Sequence, residues 1–553
     1  MGSEDTHASM GETRLDALVV GAGFSGLYAL HRLRELGLAV RLVERGGGVG
    51  GTWYWNRYPG ARCDIESVDY QFSFSPELLA EWDWTERYAA QPEILAYLEF
   101  VADRLDLRRD IELETTVTAA RYDDERDRWR VATDRGEYDA RFLVLAVGNL
   151  SAPKPPPFPG LETFEGDWYM TARWPEEPVD LHGKRVGVVG TGSTGIQVVT
   201  VTAAVADELW VFQRTPNYSM PAHNGPLDPD VQREVKRTFA ARRRMAEESE
   251  AGVPFPAPEK RAREVSEAER RRMYDEGWAR GGINSLSYAF TDFHSDELAN
   301  ATGADFTREK IRGIVSDPDV AALLSPSHHI GTKRTCVDTG YYEVYNRPDV
   351  HLVDIRSAPI EEITPRGIRT AAGEYPLDVI VFAIGFDAMT GPFLDIDLRG
   401  RGDTSLRERW ADGPRTYLGL TVAGFPNMFL VTGPGSPGVL SNMVVSIEQH
   451  VDWLADCIAS LRDRGLDAIE ATPEAEAGWV AHVNEVADAT LYPQAGSWYV
   501  GANVPGKPRV FMPYVGGCGR YRAECDEVAR AGYRGFRLSG TADAGVSDER
   551  MHA

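Results

Sequence analysis

Two glycine-rich turns, each set between an apolar strand and a helical pattern, constrain this 553-residue chain more than anything else in it. The first, Gly21-Ala22-Gly23-Phe24-Ser25-Gly26, follows Leu18-Val19-Val20 and opens a helical pattern that runs to about Leu36. The next strand, Val40 to Val43, ends in Glu44, 18 residues beyond Gly26. The second turn, Gly190-Thr191-Gly192-Ser193-Thr194-Gly195, follows Val186-Gly187-Val188-Val189. Its next strand, Leu209 to Phe212, leads to Arg214, 19 residues beyond Gly195. Glycines at such a turn permit the tight bend and let a pyrophosphate reach the N-terminus of the helix. An acid at the end of the following strand accepts hydrogen bonds from ribose hydroxyls, whereas a base there suits a 2′-phosphate. One such turn is a weak signal, because glycine turns also serve purely structural ends. Two, each with a fitting ribose-end residue, predict two dinucleotide sites, FAD at the first and NADPH at the second.

Composition narrows the partners. A chain of this length holds two or three domains with large cores. No apolar run reaches the roughly 18 to 20 residues that a membrane helix needs, so a membrane partner is not expected. The polar stretch Met1 to Arg14 lacks the apolar segment of a secretory signal and reads as a flexible leader. The formal net charge of −25 argues against nucleic acid as a partner. It also means that the phosphates of NADPH need a local basic patch.

The five cysteines, Cys63, Cys336, Cys457, Cys518 and Cys525, form no CxxC pair and no metal-ligand spacing with histidine. No metal is expected, a thiol–disulfide reductase is disfavoured, and scattered reduced thiols fit the cytoplasm.

The fold class read from this pattern is α/β: two Rossmann-like dinucleotide-binding domains, for FAD and NADP, with a helical insertion in the NADP domain. The apolar run Arg141 to Asn149 reads as a buried strand ending at a glycine turn. Pro153-Lys154-Pro155-Pro156-Pro157-Phe158-Pro159 cannot be helix or central strand and reads as a stiff linker at a domain boundary. A charged, helical stretch follows Arg214-Thr215-Pro216, and strand character returns at Val350 to Val353 and Val379 to Gly385. The expected division gives residues 15–151 and 386–540 to the first domain, 152–216 and 333–385 to the second, and 217–332 to the insertion.

Two further stretches carry chemistry: Gly50 to Asp64 (GGTWYWNRYPGARCD) and Phe164 to Pro175 (FEGDWYMTARWP). The first is a glycine-started loop dense in aromatics, with one acid and two arginines. It can lie along a flavin with Asp64 near the reactive edge, or be a surface loop with aromatic anchors.

Together these stretches resemble the Baeyer–Villiger monooxygenases, the single-chain class B flavoproteins. The first matches GGxWxxxR(F/Y)PGxxxD at Gly50, Gly51, Trp53, Arg57, Tyr58, Pro59, Gly60 and Asp64. The second matches FxGxxxHxxxWP at Phe164, Gly166, Trp174 and Pro175 but carries Met170 at the histidine. The likeness runs from about Leu15 to Leu538. It is nearest the phenylacetone and steroid type, as in Gly331-Thr332-Lys333-Arg334, Gly433-Pro434-Gly435-Ser436-Pro437 and Trp498-Tyr499-Val500-Gly501-Ala502-Asn503.

The resemblance implies that NADPH reduces FAD and that dioxygen then forms a C4a-peroxyflavin, which attacks a ketone to give an ester or lactone. It makes Arg334 the cation beside the peroxide and Asp64 the residue that holds it. Gly21, Gly23, Gly26, Glu44, Gly51, Thr52, Trp53, Asp64 and Tyr70 would contact FAD. Gly190, Thr191, Gly192, Ser193, Gly195 and Gln197 would contact NADPH, with Arg214, Thr215 and Lys333 on its 2′-phosphate. Trp498 would close a mobile loop over bound NADP, and Val439, Leu440 and Met443 would shape the pocket for a bulky or aryl-bearing ketone. By the same analogy the chain is a monomer. Met170 cannot replace a histidine's hydrogen bond or charge, so we expect more NADPH lost to hydrogen peroxide per ester formed. The other readings are a flavin monooxygenase acting on nitrogen or sulfur, with sulfoxidation also open as a side activity, and an uncoupled NADPH oxidase.

Overall fold

A computed structural model describes residues 13–540. Residues 1–12 of the expected leader lie outside these, and Thr13 and Arg14 already belong to the first strand, Thr13–Val20.

That strand lies at the middle of the first sheet. It pairs in parallel with Val40–Val43 on one side and Gly136–Leu145 on the other. Leu18 and Val19 are fully buried, as are Leu143, Val144 and Leu145. Strands covered on both faces read as continuous apolar runs, and these do. Antiparallel strands Val117–Asp123 and Arg128–Thr133 extend the sheet beyond Gly136–Leu145. Late in the chain, Asp397–Arg399 and Met428–Leu430 join the same sheet, so the chain returns to its first unit. The long helix Met443–Asp463 then packs beside the first helix, Phe24–Glu35, where Asp452 accepts hydrogen bonds from Tyr28 and Arg32.

The second sheet repeats the plan. Arg185–Val189 lies between Glu208–Gln213 and Val379–Phe382, all parallel, with Val350–Asp354 and Asp167–Met170 at the edges. In both sheets, the strand that feeds the glycine turn sits between its sequential successor and a late strand. The two turns therefore open at the carboxyl ends of their sheets, at the point where strand order reverses.

Residues between Glu208–Gln213 and Val350–Asp354 leave this sheet and build helices. The excursion is bracketed by the parallel pair Ser219–Pro221 and Cys336–Asp338. Its helices Glu267–Arg280 and Glu297–Ile314 close over a cluster that includes Tyr274, Phe290, Phe293 and Phe306. The helix Pro229–Glu248 does something different: Val235 and Phe239 join the core of the first unit, and Arg243 is buried against Glu448. Those apolar residues, four apart on a charged helix, make a stripe that needs cover. So the stretch read as an insertion in the second unit also packs on the first and bridges the two. Among the described residues, no helix is long and apolar enough to cross a membrane.

Candidate active site

Both glycine turns are built by the same close approaches. A Cβ on Gly26 would stand 1.7 Å from the Gly21 carbonyl oxygen, and one on Gly195 would stand 2.0 Å from that of Gly190. Gly21 and Gly190 take φ of +103° and +113°, each against the late strand of its sheet, at Ala146 and Ala383. The helices that follow, Phe24–Glu35 and Ser193–Thr202, start without a side-chain cap and without an acid in the first turn. Their first N–H groups are thus free to meet an anion. Glu44 is buried and braces the first turn, accepting hydrogen bonds from the Ala22 and Gly46 N–H groups at 2.8 Å each. Each carboxylate oxygen keeps a second acceptor position for a ribose hydroxyl. The residues present fit a dinucleotide at both turns.

The loop that opens at Gly50 lies back to back with the first turn. Gly50 donates to the Ala22 carbonyl, and a Cβ on Gly51 would stand 2.7 Å from the Gly23 Cα. The short helix Thr52–Trp55 follows, and the Trp53 indole donates to the Tyr70 hydroxyl at 3.3 Å. Further along, Gly60 touches the other unit: a Cβ there would stand 2.7 Å from the Gln197 carbonyl oxygen. The Tyr58 hydroxyl donates to Gln197 at 2.8 Å. Arg57 lies over the Tyr54 ring and pairs with Glu176 at 2.9 Å, which joins the loop to the end of the second motif stretch. This loop therefore spans both dinucleotide units, and the surface-loop reading falls away.

Asp64 ends the loop and meets Arg334. Arg334 Nε and Nη2 donate to the two Asp64 oxygens at 2.8 and 2.7 Å, a fork-on-fork pair. The third arm, Nη1, donates to the Val439 carbonyl at 2.6 Å. Burial alone would push the guanidinium down, but the Asp64 charge and its hydrogen bonds more than reverse this and hold it above its usual value. Arg334 lines a pocket with Leu440, Tyr492 and Tyr499. Burial pushes the Tyr499 hydroxyl up to about 12, with Arg334 pulling the other way.

At the second turn, Thr191 donates to the Thr215 carbonyl at 3.0 Å and Ser193 lies 3.4 Å from the Cys336 sulfur. Arg214 has no carboxylate partner among the described residues. It depresses Lys333, which burial already pushes down, and it does the same to Lys154. Asp387, which also acts on Lys154, is paired with Lys507, so the three cations together suit a dianion such as a 2′-phosphate. Lys154 was hidden in the proline stretch read as a linker, and nothing in its spacing marks it. Its ammonium also donates to the Asn503 carbonyl at 3.0 Å, and Asn503 in turn donates to Phe386 at 2.7 Å. These bonds fasten the end of the Trp498 segment, whose indole packs on Tyr499 with ring centroids 4.4 Å apart.

The expected pocket residues divide. Leu440 lines the pocket beside Arg334, Val439 contributes its carbonyl to the guanidinium, and Met443 packs in the cluster around Tyr492 and Tyr499. Met170 is the last residue of the edge strand Asp167–Met170, in register with Phe382 and packed against an apolar cluster. All five cysteines are free and buried.

Comparison with known proteins agrees with this geometry. The model of the pyridine nucleotide-disulphide oxidoreductase family matches residues 18–255. The chain is 45% identical over 534 residues to an acetone monooxygenase (methyl acetate-forming) of Gordonia sp. (strain TY-5), covering 96% of this chain and 100% of the relative. It is 44% identical over 532 residues to a Baeyer–Villiger monooxygenase of Pseudooceanicola batsensis, covering 96% of this chain and 97% of the relative. An oxidized steroid monooxygenase solved with NADP superposes with a TM-score of 0.92 at 56% identity, over 95% of this chain and 100% of that one. Identity of this depth, sustained across both dinucleotide units and the fingerprint loop between them, places the chain in the Baeyer–Villiger monooxygenase family.

Proposed function

We propose that this enzyme uses NADPH and dioxygen to convert a bulky or aryl-bearing ketone into an ester or lactone, with FAD at the Gly21 turn and NADPH at the Gly190 turn. The observation that carries the reading is the forked Arg334–Asp64 pair in the pocket that Leu440 and Tyr499 help to line. FAD, when bound, takes up hydride from NADPH and supplies activated oxygen to the carbonyl. The chain's own part is electrostatic and positional. Arg334 presents a permanent charge to the oxygens on which negative charge builds up, and a fixed donor in a partly dry site acts without reorganisation. Asp64 and the Val439 carbonyl fix the direction of the guanidinium. Arg214, Lys333 and Lys154 would hold the 2′-phosphate and so favour NADPH over NADH. Trp498, on a segment fastened through Asn503, would cover the nicotinamide half.

We read the protein as a monomer working in the cytoplasm; the buried reduced thiols support the second point. The test follows NADPH consumption on purified yellow protein with oxygen and phenylacetone while benzyl acetate and hydrogen peroxide are quantified. Ester is expected, with the remaining NADPH consumption recovered as hydrogen peroxide. NADPH loss with peroxide alone, across phenylacetone and a panel of cyclic and steroid ketones, would overturn the reading in favour of an oxidase.

A further inference from the structure

The pocket beside Arg334 has a second polar wall that the reaction described above does not use. It comes from the helical insertion, through Asn284 and His294. The His294 Nδ1 is shut off from solvent and makes no hydrogen bond among the described residues, and beside it stands the half-buried amide of Asn284. Buried polar groups are almost always paired, because an unpaired one forfeits its hydration without return. The unpaired His294 nitrogen, with an amide beside it in the same cavity, therefore points to a polar group supplied from outside.

The imidazole is held firmly. It packs at a tilt against Tyr492 with ring centroids 5.2 Å apart and meets the edge of Phe293 at 5.1 Å. Gly331, three residues before Arg334, leaves room for it: a Cβ there would come within 2.4 Å of the His294 Cε1. Burial pushes the imidazole down to about 4, so at neutral pH the wall is uncharged. The rest of the lining is mixed, with apolar side chains such as Ile330 and Leu440 beside the hydroxyls of Ser287 and Thr335. An uncharged wall gives a carboxylate or an ammonium no counter-ion. A neutral imidazole and an amide each offer one donor face and one acceptor face, and a hydroxyl both donates and accepts.

We propose that the ketone is held at two points, its carbonyl at Arg334 and a distant hydroxyl at Asn284 and His294, so that the preferred substrates are hydroxylated ketones on an apolar frame. This rests on the ketone oxidation proposed above.

The test uses the flavin-loaded enzyme and matched pairs: 4-hydroxyphenylacetone against phenylacetone, and 4-(4-hydroxyphenyl)butan-2-one against its deoxy partner. The parent should favour the hydroxylated member of at least one pair by about tenfold in kcat/KM, the worth of one added hydrogen bond. Asn284→Leu and His294→Phe should each bring that ratio to about one while turnover of the deoxy ketone persists. A parent ratio near one in both pairs, or an unchanged ratio in both variants, overturns the proposal. Competition binding of 4-ethylphenol and ethylbenzene, followed by ligand-observed NMR, needs no turnover. If no ketone gives ester, the proposed reaction fails, and this binding pair still decides the wall: tighter phenol binding that is lost in the variants supports it, and equal binding sinks it.

Discussion

Arg334 and Asp64, 270 residues apart in the chain, meet through two hydrogen bonds of 2.7 and 2.8 Å, and the remaining guanidinium arm is spent on the Val439 carbonyl. One side chain thus ties together the fingerprint loop, the edge of the helical insertion and the substrate loop. Removing Asp64 leaves the guanidinium with one anchor. Losing a preorganised donor costs roughly a hundredfold to a thousandfold in rate. We predict that Asp64→Ala loses ester formation by about two orders of magnitude while NADPH oxidation continues and hydrogen peroxide accumulates. Arg334→Lys should behave likewise, since an ammonium cannot reproduce the fork. Ester yields within a few-fold of the parent would mean that the pair only holds the fold together.

The two glycine turns can be broken separately. An alanine Cβ at 26 or 195 would collide with a backbone carbonyl, which cannot move aside as a flexible side chain can. Gly26→Ala should purify without its yellow colour. Gly195→Ala should keep its flavin absorbance and lose NADPH affinity by at least about tenfold, on the scale of one lost charge-assisted contact. Colourless protein from both variants would show that the second turn is needed for folding rather than for the nucleotide alone.

These turns were also the most legible part of the sequence. Gly21 to Gly26 and Gly190 to Gly195 are dictated by local backbone geometry, which spacing records. The Asp64–Arg334 pair was not legible in that way. Nothing local couples positions so far apart, and only the likeness to a family brought them together. Glu44 stands out in the sequence by its spacing from Gly26, yet its bracing of Ala22 and Gly46 shows only in the fold. The double allegiance of Pro229–Glu248 was missed because a stripe such as Val235 and Phe239 asks for cover without saying whose. Lys154 and His294 were invisible, since their meaning lies in neighbours distant in sequence.

Lys154 supplies a prediction of its own. Burial and then the Arg214 charge depress it, and it makes no ion pair among the described residues, so its charge should serve a phosphate. Lys154→Met should lower the preference for NADPH over NADH by about tenfold, equivalent to about 1.4 kcal/mol, and act mainly through the KM for NADPH. The same bond to Asn503 fastens the Trp498 segment, so a matching rise in peroxide is expected. An unchanged NADPH-to-NADH ratio would remove Lys154 from the phosphate site.

Met170 ends an edge strand against an apolar cluster and offers neither a donor nor a charge where the family motif has histidine. Met170→His should lower the fraction of NADPH lost to peroxide, read by parallel peroxide and ester assays. If that fraction does not move, the position is a packing site that either residue fills.

Stability should fall as the medium is acidified through the histidine range. Burial pushes His450 down to about 3 and His294 to about 4. His328 also stands at about 4, through burial and then the nearby Lys333 charge. In the unfolded chain these residues titrate near 6.5. Between pH 6.5 and about 4 the unfolded state therefore binds protons that the folded state refuses. The native contribution is complete above pH 6.5 and is lost as pH falls through this window, at up to about 1.4 kcal/mol per pH unit for each histidine. Urea midpoints measured from pH 8 to 4.5 should hold down to about 6.5 and then drop. His450 Nδ1 accepts from the Thr432 N–H at 2.9 Å, and an asparagine amide oxygen can take that bond without titrating. His450→Asn should therefore flatten the decline by about 1.4 kcal/mol per unit relative to the parent. An identical slope in the two proteins would place the acid sensitivity in other groups.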